Sequence, residues 1–488
     1  MGDYDLVIRG GTVATASDVA RADIGIKDGR ITALGEKLDG AAQEIDAAGK
    51  LVLPGGIDSH VHIDQVSSTK VYTADDFLTG TRSALAGGTT TVIPFAAQHR
   101  GQSLRQVVRD YHTKAEGKAL TDYAFHLIVS DPTEQVLGQE LPALIRDGYT
   151  SFKVYTTYDA LKLSDRQMLE ILTLARREGA MVMVHAENHD MIQWLSDKLT
   201  DEGKTAPKYH AVAHAPIAER EATERVIALA ELADAPVLIV HVSGREAIER
   251  IRAAQARGLR VLAETCPQYL YLTQDDLDKP GFEGAMCMCS PPPRDAANQE
   301  FVWHGLMSGV FQVFSSDHAP YRYNDPEGKM KHGTDASFKK VPNGVPGIGA
   351  RLPLLFSGGV RTGRLDVTQF VALAATNHAK IYGLYPRKGT IAVGSDADIA
   401  IWDPDREVTI TLKDLHDNMD YTPYEGRRVT GWPETVISRG EIVCHRGEIR
   451  ATPGRGRFLA CATPEVARPG RGILRGAHPG LGLSGVPF

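Results

Sequence analysis

The chain has 488 residues, 42% of them hydrophobic and 24% charged, a globular composition that excludes a disordered chain. Its 54 Lys and Arg against 61 Asp and Glu give a net charge of -7, which sets it apart from chains built to hold nucleic acid. The apolar runs are strand-length and none approaches the roughly 18 residues of a membrane span, so no membrane partner is expected.

Residues 5–14 (DLVIRGGTVA), 23–34 (DIGIKDGRITAL) and 44–53 alternate apolar residues with glycine-containing turns and predict β structure, closed by Pro54-Gly55-Gly56. The opening MGDYDLVIRGG has no apolar leader, so no signal peptide is expected. From residue 57 the pattern changes. Eight short apolar runs follow, at 57–63, 90–96, 123–129, 151–157, 181–187, 237–243, 261–266 and 313–318. Helix-like stretches such as 165–178 and 219–233 separate most of them. Eight βα units predict an α/β fold, a (β/α)8 TIM-like barrel with insertions. An open doubly wound sheet is the alternative, but no Gly-rich phosphate fingerprint follows the first strand. The β style returns at 389–402, 407–412 and 435–449.

The chain therefore divides into residues 1–55 and 386–452, two parts of one small β-sandwich-like domain, and residues 56–385, the barrel. Residues 453–488 form a tail rich in Gly, Pro and Arg, read as a poorly ordered or surface-wrapping segment or as an arm to a neighbouring subunit. The five cysteines, Cys266, Cys287, Cys289, Cys444 and Cys461, are odd in number and lack common zinc spacing. Reduced thiols in a cytoplasmic protein are expected.

Chemistry concentrates where the barrel strands end. His60 and His62 lie two apart on the first strand and so share a face. The fifth strand ends at His185, the sixth at His241, the eighth at Asp317, and the fourth carries Lys153. Imidazole and carboxylate at one barrel rim predict a metal site. A lysine beside two cations would be neutral, which leaves three arrangements: a free amine, an amine paired with an acid, or a carbon dioxide-derived carbamate bridging two ions. His318, next to Asp317, points to the opposite face and is expected to pack. Asp58 is expected in a supporting role, and Cys266 as a small buried apolar residue.

The motifs PGGIDSHVHID, SFKVYTTY, VHAEN, IVHVSG, ETCPQYL, SPPPR, SSDHAP and VPNGVPG resemble, over essentially the whole chain, the dihydropyrimidinase/D-hydantoinase family of the amidohydrolase superfamily. The resemblance implies two divalent ions, zinc first and manganese or cobalt as alternatives. His60, His62 and Asp317 would hold the more buried ion, and His185 and His241 the second. Lys153, carbamylated to N6-carboxylysine, would bridge them. Asp317 would also shuttle the catalytic proton, and Tyr158 would hydrogen-bond the developing oxyanion. Ser290 and Asn343 would grip the amide edges of a small cyclic ureide through backbone groups. The implied reaction opens hydantoins or dihydropyrimidines to N-carbamoyl amino acids, with a D-selective hydantoinase as the preferred subtype. A physiological dihydropyrimidinase is the runner-up; an allantoinase, a dihydroorotase and a non-catalytic assembly protein of the same fold rank below it. A homotetramer is implied, with a dimer as the alternative. One departure is Gly349, where relatives often carry Glu, which puts a local ion pair with Arg351 in doubt.

Overall fold

The N-terminal alternation folds into β1 (Tyr4–Ala14), β2 (Val19–Lys27), β3 (Arg30–Gly35), β4 (Ala41–Asp46) and β5 (Leu51–Pro54). This computed structural model describes residues 3–67 and 70–468. The barrel follows as β6 (Gly56–Val61), β7 (Thr89–Ala97), β8 (Asp122–Tyr123), β9 (His126–Ile128), β10 (Ser151–Tyr155), β11 (Met181–His185), β12 (Val237–Ile239), β13 (Val261–Thr265) and β14 (Val313–Phe314). The chain closes with β15 (Ile399–Thr409), β16 (Arg428–Ser438), β17 (Glu441–His445) and β18 (Glu448–Ile449).

These strands make two sheets. One runs β18-β17-β16-β15-β5-β1-β2-β3, with β4 on β1, so both chain ends build one mixed sheet joined where β15 pairs antiparallel with β5. The other runs β14-β13-β12-β11-β10-β9-β7-β6 with every pairing parallel. A bridge from Val61 to His318 brings its two edges together, giving a near-closed eight-stranded barrel. The expected strand at 407–412 is not separate. Its first residues continue β15 through an irregularity between Asp403 and Glu407, and Leu412–Leu415 turns helical behind the Thr411 cap.

Alternation sorts the barrel side chains into two layers. On β11, Val182 and Val184 pack outward against the helices, while Met181 and Met183 join the inner cluster with Ile57, Ile93 and Leu238. The helices are cut by local signals. Asp165–Glu178 matches its expected bounds because Ser164 and Gln167 form a capping box and Gly179 ends it at φ 79°. Among the described residues no helix is long and apolar enough to cross a membrane.

Beyond β18 the described part of the tail lies on its own barrel. Leu459 N bonds Tyr123 O at 2.7 Å, and Cys461 N bonds Gly148 O at 3.0 Å. The arm reading applies to residues 453–488, of which 469–488 lie outside the described residues. All five cysteines are buried and unpaired.

A candidate metal centre at the barrel rim

The first barrel strand delivers its histidines through a defect. Asp58 pairs with Val92 and Val61 with Pro94, so β6 advances three residues where β7 advances two. This bulge reverses the alternation. Ile57 before it faces the inner cluster, whereas Val61 after it faces the helices. His60 and His62 flank Val61 and turn inward, with ring centroids 5.4 Å apart and Phe95 packed 5.0 and 4.8 Å from them.

Lys153 follows from β10, where Phe152 and Val154 face the helices. Its Nζ lies 2.6 Å from His60 Nε2 and 4.3 Å from the Phe95 ring centre. His185 ends β11, and its ring lies 4.4 Å from that of His241. The last two ligand candidates stand beyond their strands: β12 stops at Ile239 and β14 at Phe314, shorter than the expected runs. Local backbone aims them instead. His241 has φ 40°, Asp317 φ 48° and Tyr158 φ 68°, all in the left-handed region that favours glycine. Such residues cost about 1–3 kcal/mol each, and three in one rim mark a site held under strain.

The donor atoms converge. Asp317 Oδ1 lies 3.0 Å from His60 Nε2 and 3.4 Å from His62 Nε2. Ligands about 2.0–2.1 Å from a tetrahedral ion stand about 3.3 Å apart, so this spacing fits a shared metal. Donor atoms of His60, His241 and Asp317 all lie within 4.8 Å of one another. His241 Nδ1 is buried with no hydrogen-bond partner among the described residues. The residues therefore fit a metal.

Three of the imidazoles are braced from behind. His60 Nδ1 meets Glu264 Oε1 at 2.6 Å, His62 Nδ1 meets Gln65 Oε1 at 2.8 Å, and His185 Nε2 meets Glu187 Oε2 at 2.7 Å. Each ring thus keeps its other nitrogen for the centre. The sequence reading assigned no role to Glu264, Glu187 or Gln65. Two signals were available: Glu264, a carboxylate in a largely apolar strand, which must have a partner when buried, and Glu187, two residues after His185.

Burial controls the charges. It lowers the pKa of His62 to about 4 and that of His241 well below the ordinary value, leaving neutral rings with a lone pair. It draws Lys153 down to about 8. Burial pushes Asp317 up, but His60 and His62 outweigh it and hold the carboxyl well below its usual range. At Tyr158 burial raises the phenol far enough to keep its proton.

The same cleft, of about 210 Å³, is lined by Tyr158, Ser290 and Asn343, with His60 beneath and fully buried. The Tyr158 ring stands 5.2 Å from that of His185, and Ser290 Oγ lies 3.2 Å from His210 Nε2. Thus all nine proposed site residues gather at one end of the barrel. His318 turns away, as its position predicts, and its Nε2 donates to Asp75 Oδ2 at 3.0 Å. Arg351, without a glutamate at position 349, faces Asp58 instead, with Nε 3.5 Å from Oδ2 and a 2.6 Å hydrogen bond to Phe314 O.

Known proteins share this fold. A model of the amidohydrolase family matches residues 51–443. A D-hydantoinase of Ralstonia pickettii is 46% identical over 456 residues, covering 93% of this chain and 98% of the relative. A solved D-hydantoinase structure superposes with a TM-score of 0.91 at 46% identity, over 94% of this chain and 99% of the other. The dihydropyrimidinase structure from Brevibacillus agri NCHU1002 gives 0.91 at 44% identity, over 94% and 98%.

Proposed function

The chain belongs to the amidohydrolase family, and we propose that it opens the cyclic amide bond of hydantoins and dihydropyrimidines to N-carbamoyl amino acids, with D-selectivity. The observation that carries this is Asp317, whose carboxylate reaches both His60 and His62 at the floor of a cleft sized for a small ring.

His60, His62 and Asp317 would hold one divalent ion, and His185 and His241 a second. Lys153 would lie between them. Its buried amine, with pKa drawn to about 8, would in its neutral form add carbon dioxide and lose a proton, and the resulting carbamate would offer oxygen ligands to the ions. The mixed nitrogen and oxygen donor set suits zinc. Bound ions there would supply an acidic water and polarise the ring carbonyl.

The side chains of the chain manage the protons. Asp317, kept ionised, accepts the proton released as water adds to the carbonyl carbon. The same carboxyl returns it to the ring nitrogen as the C–N bond breaks, because an amide nitrogen leaves poorly until protonated. Tyr158, kept protonated, donates its O–H to the developing oxyanion. Backbone groups at Ser290 and Asn343 receive the amide edges of the ring. A reducing cytoplasm suits five unpaired thiols. The homotetramer rests on the family resemblance.

The test is turnover of dihydrouracil and both enantiomers of a 5-aryl hydantoin by metal-assayed protein. Fastest opening of the D-hydantoin supports the reading. A dihydrouracil preference favours the runner-up, which the Brevibacillus agri likeness keeps in view. No turnover of any, with metal bound, would sink it.

A further inference from the structure

Behind the cleft wall at Asn343 sits a lysine that the proton transfers do not use. Lys329 is 1% exposed. Its Nζ donates to Pro342 O at 3.0 Å and to Gly344 O at 2.9 Å, the two residues flanking Asn343. The usual partner of a buried lysine is a carboxylate; here both acceptors are neutral carbonyls. Burial draws its pKa down to about 7. In either protonation state the amine keeps two hydrogens, one for each carbonyl.

A braced turn delivers this amine. Lys329 N donates to Arg322 O at 2.8 Å, and Gly328 makes room, since a Cβ there would meet Arg322 O at 2.2 Å. Arg322 Nε in turn donates to Asn418 O at 2.7 Å. Across the segment, Gly344 N donates to Met288 O at 2.9 Å, two residues before Ser290. Gly344, at φ 151°, packs so closely that a Cβ would stand 2.5 Å from that of Ala319. Pro342 has no N–H of its own, so its carbonyl is its only backbone hydrogen-bonding group. The side-chain oxygen of Asn343 is buried without a partner among the described residues, and Asn343 lines the cleft.

We propose that Lys329 is a positioning residue for substrate binding: by bonding the carbonyls on both sides of Asn343, it holds the backbone that receives the amide edge of the ring. This rests on the cyclic-amide reading above. An interaction made equally in the bound and transition states acts on KM and leaves kcat in place.

The experiment compares wild type with Lys329→Met, which removes both donors, and Lys329→Gln, which keeps a shorter pair. Each is assayed for bound metal, thermal midpoint, hydantoin KM and kcat, and hydrogen exchange at the Gly344 amide. KM should rise about tenfold in the methionine variant and less in the glutamine variant, with kcat within about threefold and metal unchanged. Gly344 exchange should quicken. Unchanged KM and exchange in a folded variant would overturn the proposal, as would a fall in kcat at constant KM. If the methionine variant does not fold, the glutamine variant decides by the same criteria. Wild type that opens no cyclic ureide would instead sink the functional reading, and Gly344 exchange would then judge Lys329 alone.

Discussion

At the scale of the residue, the site is a set of donors whose charge states are set by burial and, at Asp317, by the neighbouring histidines. Lys153 shows this most directly, since an exposed lysine near pKa 10.4 would almost never be neutral. Lys153→Ala should lose bound metal and activity together, measured by elemental analysis and turnover; full retention of both would remove Lys153 from the metal centre. Tyr158 separates binding from chemistry. Tyr158→Phe should keep its metal and lose about 100-fold in kcat, the usual scale for one oxyanion donor. Equal turnover in the two proteins would remove Tyr158 from that role. That His60, His62, Lys153, His185, His241 and Asp317 meet at one rim was legible, because ligand-type residues at matching strand ends are a pattern in one dimension. Glu264 and Gln65 were not, because each acts on a ring far from it along the chain or around a loop.

Elements carry the next layer. Period-two alternation correctly pairs His60 with His62, yet their shared inward aim depends on the bulge in β6, and nothing in GIDSHVH marks where an extra residue enters the ladder. The same limit shortened β12 and β14, beyond which the ligand candidates His241 and Asp317 are aimed by positive φ and not by strand geometry. The tail is the clearest case of context deciding. A stretch dense in Gly, Pro and Arg buries Leu459 completely and stacks Phe458 against Tyr149, with ring centres 5.2 Å apart. Leu459→Ala should therefore cost about 2–5 kcal/mol of stability, read from denaturant unfolding, while kcat of the folded enzyme stays put. A change under 0.5 kcal/mol would mean the tail merely rests on the barrel.

At the scale of the whole molecule, one buried cation links the two sheets. Lys388, 1% exposed, meets Asp122 on β8 at 2.8 Å and Asp396 and Asp398, ahead of β15, at 3.1 and 2.6 Å. Arg457 of the tail adds its N–H to Asp122. Lys388→Met would take the cationic side chain from Asp398 and leave Asp396 with Arg387 and Asp122 with Arg439, and should cost about 3–5 kcal/mol at neutral pH. Burial pushes Asp396 up, but Lys388 and Arg387 hold it below its ordinary pKa. A carboxyl lowered on folding contributes stability above its unfolded pKa, about 3.9, and loses it as pH falls. The gap between wild type and variant should thus be full at pH 7 and narrow toward pH 3 in thermal melts; a constant gap would show that the carboxylates are not what the lysine compensates. The sequence alone determined the eight-fold βα repeat, the β domain shared between both ends and the gathering of ligand-type side chains at the rim, because periodicity and strand-end position are local properties of a chain. Only the tertiary structure decided that Glu264 braces His60, where the alternation breaks and what fastens Asn343, because those contacts join residues from about a dozen to two hundred positions apart or depend on packing that no local pattern encodes.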